Sequence, residues 1–292
     1  MTTDVRLVRD VRALLGEGPV WCADEQALWF VDIKGGAIHR HDADAGTSGT
    51  FHVEGKPSFI APATDGGMIV GSGHGLCRFE HGCLGEPFVT IPMPPRNRTN
   101  DATVDARGRL WFGTMDDGET QRTGALYCLD RDRLVALPAA AVVTNGPAVS
   151  ADGRTLYFVD SVERRISRHA ISEGPAISSP EPFLQLTERD GHPDGIVLDS
   201  EDCLWVALWD GWGVRRYAPD GRLLLHVDLP CARVTKVAFG GPDLRTAYVT
   251  TARTGLDDSQ LARQPLAGGL FAFDAPAAGR PAPLYRGVAL PV

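Results

Sequence analysis

Residues 105–114 read "DARGRLWFGT": Asp and Gly make a turn, and the apolar and aromatic run after them is long enough for one strand. The unit recurs as "ADEQALWFVD" (23–32), "TDGGMIVGS" (64–72), "SADGRTLYFVD" (150–160), "DSEDCLWVAL" (199–208) and "GPDLRTAYVT" (241–250). Aligned on their strand starts, Leu28, Met68, Leu110, Leu156, Leu204 and Ala247, the copies stand 40, 42, 46, 48 and 43 residues apart. About ten residues further on, each copy continues into a second short strand, such as "AIHRHD", "GLCRFE" or "GALYCLD", which is a hairpin rhythm. Helical periodicity is hard to find, and 33 Gly with 21 Pro break up any long helix. The pattern predicts an all-β fold, a six-bladed β-propeller with four-stranded antiparallel blades around a central channel, forming one domain over residues 1–292.

A propeller must close its ring. "VRLVRDV" (5–11) precedes the first copy and "LYRGVALPV" (284–292) follows the last, so the two ends are expected to meet within one blade.

The bulk properties exclude several function classes. A net charge of -8 with scattered Lys and Arg leaves no footprint for nucleic acid or an anionic membrane. Charges run through "MTTDVRLVRDVRALLGEG", and nowhere do about 18 apolar residues follow one another, so a soluble cytoplasmic protein, acting as a monomer, is expected. Six cysteines in a chain of 292 residues, without a CxxC pair, are expected to be reduced and mostly buried. Cys77 and Cys83, flanking the hairpin-like "CRFEHGC", are the one pair placed for a bridge.

The innermost strand of each blade should precede the "LWF" strand. Ten or eleven residues before the six anchors lie Glu17, Pro57 with Ser58, Asn100, Asn145, Asp194 and Lys236. Equivalent slots of a cyclic repeat share one height on the axis, so Glu17, Asn100, Asn145 and Asp194 should converge at one end of the channel. Taken singly, a polar residue beside Gly or Pro in "GEGP", "NGP" or "PDG" is explained by a turn. The shared phase of four acidic or amide residues instead favours a divalent cation among them, since carboxylates massed in a narrow opening repel one another otherwise. The oxygen donors suit Ca²⁺, Mg²⁺ or Mn²⁺ and tolerate Zn²⁺ or Fe²⁺.

The residues at this point resemble the SMP-30/gluconolactonase/regucalcin family of propeller lactonases. "LGEGPVW", "RTNDATVDARGRLWFGTMD", "TNGPAVSADGRTLYFVDS", "HPDGIVLDSEDCLWVALWDGWGVRRY" and "VTKVAFGGPDLRTAYVTTA" carry the likeness, which runs from about residue 14 to residue 272. Within the family the chain looks most like bacterial sugar-acid lactonases, particularly those acting on pentonolactones. The resemblance implies that Glu17, Asn145 and Asp194 bind one divalent cation, Ca²⁺ foremost, and that Arg98 and Asn100 contact the substrate. It also implies that Asp194 is the catalytic acid/base, and that an acidic residue in "MDDGE" touches the sugar, with Glu119 placed ahead of Asp117.

The implied activity is metal-dependent hydrolysis of a 1,4- or 1,5-aldonolactone, such as xylono-, arabinono-, galactono- or gluconolactone, to the aldonic acid. A cation would polarise the lactone carbonyl, and Asp194 would take a proton from water and return it to the ring oxygen. Coordination weakens a carboxylate as a base, so activation of the water by the cation itself stands as a second route. Alone, Arg98 reads as a surface arginine paired with a carboxylate such as Asp101. Lys236 reads equally as a structural charge compensating the acids or as a donor to substrate. His74, His192, Trp209 and Trp212 are candidates for the entrance, with ordinary packing as the simpler use. No GxSxG elbow, Walker motif or GxGxxG between strand and helix is present. Two other functions fit the same scaffold: a non-enzymatic calcium-binding propeller, and a broader ester or phosphotriester hydrolase.

Overall fold

The computed structural model describes residues 3–43 and 48–287. Within them, six four-stranded antiparallel sheets succeed one another, the six-bladed propeller expected from the repeat. The innermost strands are Gly16–Cys22, Pro57–Pro62, Asn97–Val104, Thr144–Val149, His192–Leu198 and Val234–Gly240. Each touches the next, and the last touches the first, so the ring is closed around a channel. One short helix, Asp258–Arg263, sits in a connection of the sixth blade.

The "LWF" strands lack the in-out alternation of a half-exposed sheet because both of their faces are covered by neighbouring blades. Six apolar layers result, one at each junction between blades. Phe112 stacks on Tyr127 and leans on Phe59 between blades two and three, and Trp205 meets Phe239 and Phe273 between blades five and six. Burying side chains of this size stabilises the fold by about 1.5–3 kcal/mol each.

The Asp of the repeat has a further task in two blades. Asp105 accepts from the backbone N–H groups of Arg107 and Arg109, from Arg109 Nε and from Trp111 Nε1 at 2.7–3.0 Å. Asp199 does the same for Glu201 N, Cys203 N, Trp205 Nε1 and Arg216 Nε at 2.7–3.1 Å. One carboxylate thus closes the turn and anchors the buried indole six residues on.

Closure of the ring differs from expectation at one end. Arg6–Arg9 adds to Leu270–Asp274 as the outermost strand of the sixth blade, so the N-terminal segment completes the last sheet. The C-terminal segment does not join it. Ser200 N donates to Ala278 O, Arg280 pairs with Asp202 at 2.9 Å, and Tyr285 forms a parallel bridge with Ala63 while its hydroxyl donates to Arg131 O at 2.6 Å. Pro276, Pro281 and Pro283 cannot donate to a ladder, and the Tyr285 ring is buried with the layer between blades two and three. The chain therefore straps the lower face of the ring, with Arg280–Pro283 lining a cavity of about 450 Å³ beneath the channel. Residues 288–292 lie outside the described residues. All six cysteines are free; five are buried, and Cys83 is exposed.

Candidate active site

Every innermost strand has an irregularity in its pairing at the same place: between Glu17 and Val20, Pro57 and Phe59, Thr99 and Ala102, Asn145 and Ala148, Pro193 and Ile196, and Val234 and Lys236. A bulge locally breaks the alternation of side chains and re-aims them. Here it falls beside the slot residue of each strand, and in four of the six strands that residue borders the upper mouth of the channel. The backbone has little room at these bends: at Gly195 a Cβ would lie 2.6 Å from Lys236 Cβ and 2.7 Å from Thr235 O.

Four of the six slots open onto one cavity, and the other two do not. Glu17, Arg98, Asn100, Glu119, Asn145 and Asp194 line one cavity of about 350 Å³ at the upper mouth. Ser58 instead donates to Thr99 Oγ1 at 2.8 Å or to Gly71 O at 3.1 Å and stays within the wall. Lys236 lies one layer lower, bordering the cavity beneath.

Hydrogen bonds fix the amides. Arg98 NH1 donates to Asn100 Oδ1 at 2.6 Å, and Asn100 Nδ2 donates to Thr144 O at 2.8 Å and Asn145 Oδ1 at 3.1 Å. Asn145 Nδ2 donates to Ser161 Oγ at 3.0 Å, so the amide is held at both ends. Arg98 is not the surface residue of the simpler reading. It is 4% exposed, and its partner is Asp117 at 2.8 Å, shared with Lys56 at 2.5 Å, rather than Asp101. These two cations hold Asp117 below the usual carboxylate range against the opposing effect of its partial burial. Asp101 pairs with Lys236 at 2.5 Å. With Asp117 committed to Arg98 and Lys56, Glu119 is the acidic residue of "MDDGE" that borders the cavity.

The carboxylates at the base are under strain of charge. Burial pushes Glu17 up to about 8, with Asp101 adding to the rise and Lys236 and the Gly18 N–H opposing it. Burial, then Glu17 and Asp101, push Asp194 well above the usual range. Glu17 Oε2 accepts from Gly18 N at 2.8 Å, and no N–H or O–H among the described residues donates to Asp194. Two buried carboxylates that line one cavity with an ordered amide, with lone pairs left over, fit a hard divalent cation. The set holds two carboxylates and an amide; no group of three His, Cys, Asp or Glu assembles among the described residues.

The entrance residues divide. His192 and Trp209 line the cavity, with His192 Nδ1 donating to Ser161 O at 2.9 Å, and the Trp209 ring lies under the Arg233 guanidinium. His74 contacts Pro95 O, away from the cavity, and Trp212 is exposed. Arg233 and Lys34 also border the mouth and carry no signal in the repeat, since they sit outside the slot phase.

Residues 15–253 match the protein family described as the SMP-30/Gluconolactonase/LRE-like region. The chain belongs to this family. Among relatives of this SMP-30/gluconolactonase member, the 6-deoxy-6-sulfogluconolactonase of Pseudomonas putida is 34% identical, over 94% of this chain and 96% of that one. The pentonolactonase XacC of Haloferax volcanii is 37% identical, over 95% and 96%. A crystal structure described as a calcium-binding protein, regucalcin, from Agrobacterium tumefaciens superimposes with a TM-score of 0.93 at 29% identity, covering 98% of each chain. The likeness to sugar lactonases therefore extends over nearly the whole length of this family member.

Proposed function

We propose that the protein is a divalent-metal-dependent sugar lactonase that opens an aldonolactone to its aldonic acid. One observation carries the reading: Glu17, Asn145 and Asp194 share a cavity with Arg98, Asn100 and Glu119, so a cation site and a sugar site are one site. The names of full-length relatives, a sulfogluconolactonase and a pentonolactonase among them, support the reaction class.

Glu17, Asn145 and Asp194 would hold the cation, which supplies Lewis-acid polarisation of the lactone carbonyl when bound. The chain's own residues do the rest. Arg98, fixed by Asp117, presents a planar fork to substrate oxygens, and Asn100 is held at a set angle by Arg98 and Thr144. Glu119 accepts from a sugar hydroxyl. Asp194 takes a proton from the attacking water as the carbon–oxygen bond forms, and returns it to the ring oxygen as the ring bond breaks, leaving a hydroxyl and a carboxylic acid.

Proton release from xylonolactone, arabinonolactone, galactonolactone and gluconolactone, with and without chelator, tests the proposal. Turnover of at least one lactone that stops on chelation and returns with Ca²⁺, Zn²⁺ or Mn²⁺ is expected; an unchanged rate after complete metal removal overturns it. The structural likeness to a protein described as calcium-binding favours a second reading, a binding propeller without catalysis. That reading predicts cation binding and no turnover of any lactone, aryl ester or organophosphate.

A further inference from the structure

Below Glu17 and Asp194 the channel is crossed by a bar of opposite charges. Lys236, from the sixth blade, reaches Asp101 Oδ1 of the third at 2.5 Å and Ala102 O at 3.1 Å. The side chains are 8% and 2% exposed. The lysine stem runs over Gly195, next to Asp194, where a Cβ would come within 2.5 Å of Lys236 Cγ. Asp101 Oδ1 also accepts from Ala102 N at 2.7 Å, whereas its Oδ2 is buried with no partner. The bar is thus bound to the floor of the site and adds no net charge to it.

We propose that the Lys236–Asp101 pair fixes the charge of the cation site at two negative units and so matches it to a divalent ion. The buried charged groups around the axis are Glu17, Asp194 and Asp101 against two cations, Lys236 and Arg98. Higher up, Arg98 is matched by Asp117, and Lys56 and Glu119, of opposite sign, both stand exposed, where solvent screens them. With Asp101 and Lys236 neutralising each other below, and Arg98 and Asp117 above, the uncompensated buried charge is that of Glu17 and Asp194. Removing Asp101 alone leaves an unpaired ammonium under the ion, while removing both partners returns the same balance with neutral groups. This inference rests on the cation reading above.

Calorimetric titration of the chelator-stripped full-length protein with CaCl2 and with TbCl3 tests it. Asp101→Asn is expected to weaken Ca²⁺ binding at least tenfold and Tb³⁺ binding more, since the repelled charge is larger. Adding Lys236→Met to Asp101→Asn is expected to restore both affinities to within about threefold of the wild type. A purely structural role predicts the opposite order, with the double variant at least as impaired as the single. A double variant that binds Ca²⁺ more than tenfold more weakly than the wild type overturns the proposal, and this comparison stands even where Asp101→Asn alone does not fold. An Asp101→Asn protein that binds both ions as the wild type does overturns it as well. A wild type that binds neither ion takes down the cation reading itself, and this proposal with it.

Discussion

Glu17 and Asp194 each hold a carboxylate where water scarcely reaches it, and each raises the other's proton affinity. The unfolded chain gives up the Glu17 proton near pH 4.5, whereas the metal-free fold keeps it until about pH 8, so folding loses stability as pH rises between those values. His39 acts in the other direction: burial lowers it to about 4, so stability falls as pH drops from 6.5 toward 4. Between pH 6.5 and 8 the carboxylate effect stands apart from that of His39. Chelated protein is expected to lose about 2 kcal/mol over that interval, read by urea denaturation, at roughly 1.4 kcal/mol per pH unit. Saturating divalent cation, which holds the carboxylates ionised in the fold as they are in the unfolded chain, should flatten the slope. Asp194→Asn should lower kcat on the best lactone about 10²- to 10⁴-fold while raising the melting temperature of the chelated protein, because the repulsion is removed. An equal loss of stability and activity would count against a catalytic Asp194. The sequence shows the positions of Glu17, Asn145 and Asp194 because each carries the same phase in its repeat. It does not show that Asp117 goes to Arg98 and Asp101 to Lys236, since both pairings depend on how side chains turn within the channel.

At the scale of elements, the strands and their spacing are legible because turn chemistry and apolar runs are local properties. The bulges that aim the polar slots inward are not, because each depends on the register between two strands. In hindsight Gly and Pro beside the slot residues are the signal, since both interrupt a ladder. The Asp–Trp anchor was half visible as the turn Asp of "DARGRLWF" and "DSEDCLWV", although the indole as its partner was not. Asp199→Ala would leave the Trp205 indole N–H and Arg216 Nε in a buried setting without their acceptor, the guanidinium keeping only its bond to the exposed Glu201. A loss of about 3–5 kcal/mol in equilibrium unfolding is expected, against less than 1 kcal/mol for Asp220→Ala in an exposed turn.

For the whole molecule, the number of blades was readable from the period alone, and the closure by residues 6–9 from the need to pair the last sheet. The path of the C-terminal segment was not, because nothing in "LYRGVALPV" says that Tyr285 will fill the gap between blades two and three. Deleting residues 1–10 bares the edge of Leu270–Asp274 and removes Val5 and Val8 from the layers beside the sixth blade. The melting temperature should fall by several degrees with the transition remaining single, since the blades share their apolar layers; a melt that matches the full-length protein would show that the strand contributes nothing to closure. That same pairing sets an order on the making of the protein. Arg6 must wait for Asp274, 268 residues later, to leave the ribosome, an interval of about 13–50 s at 5–20 residues per second. Until then this strand has no place to go, and the nascent chain can build its blades in sequence but cannot finish the circle.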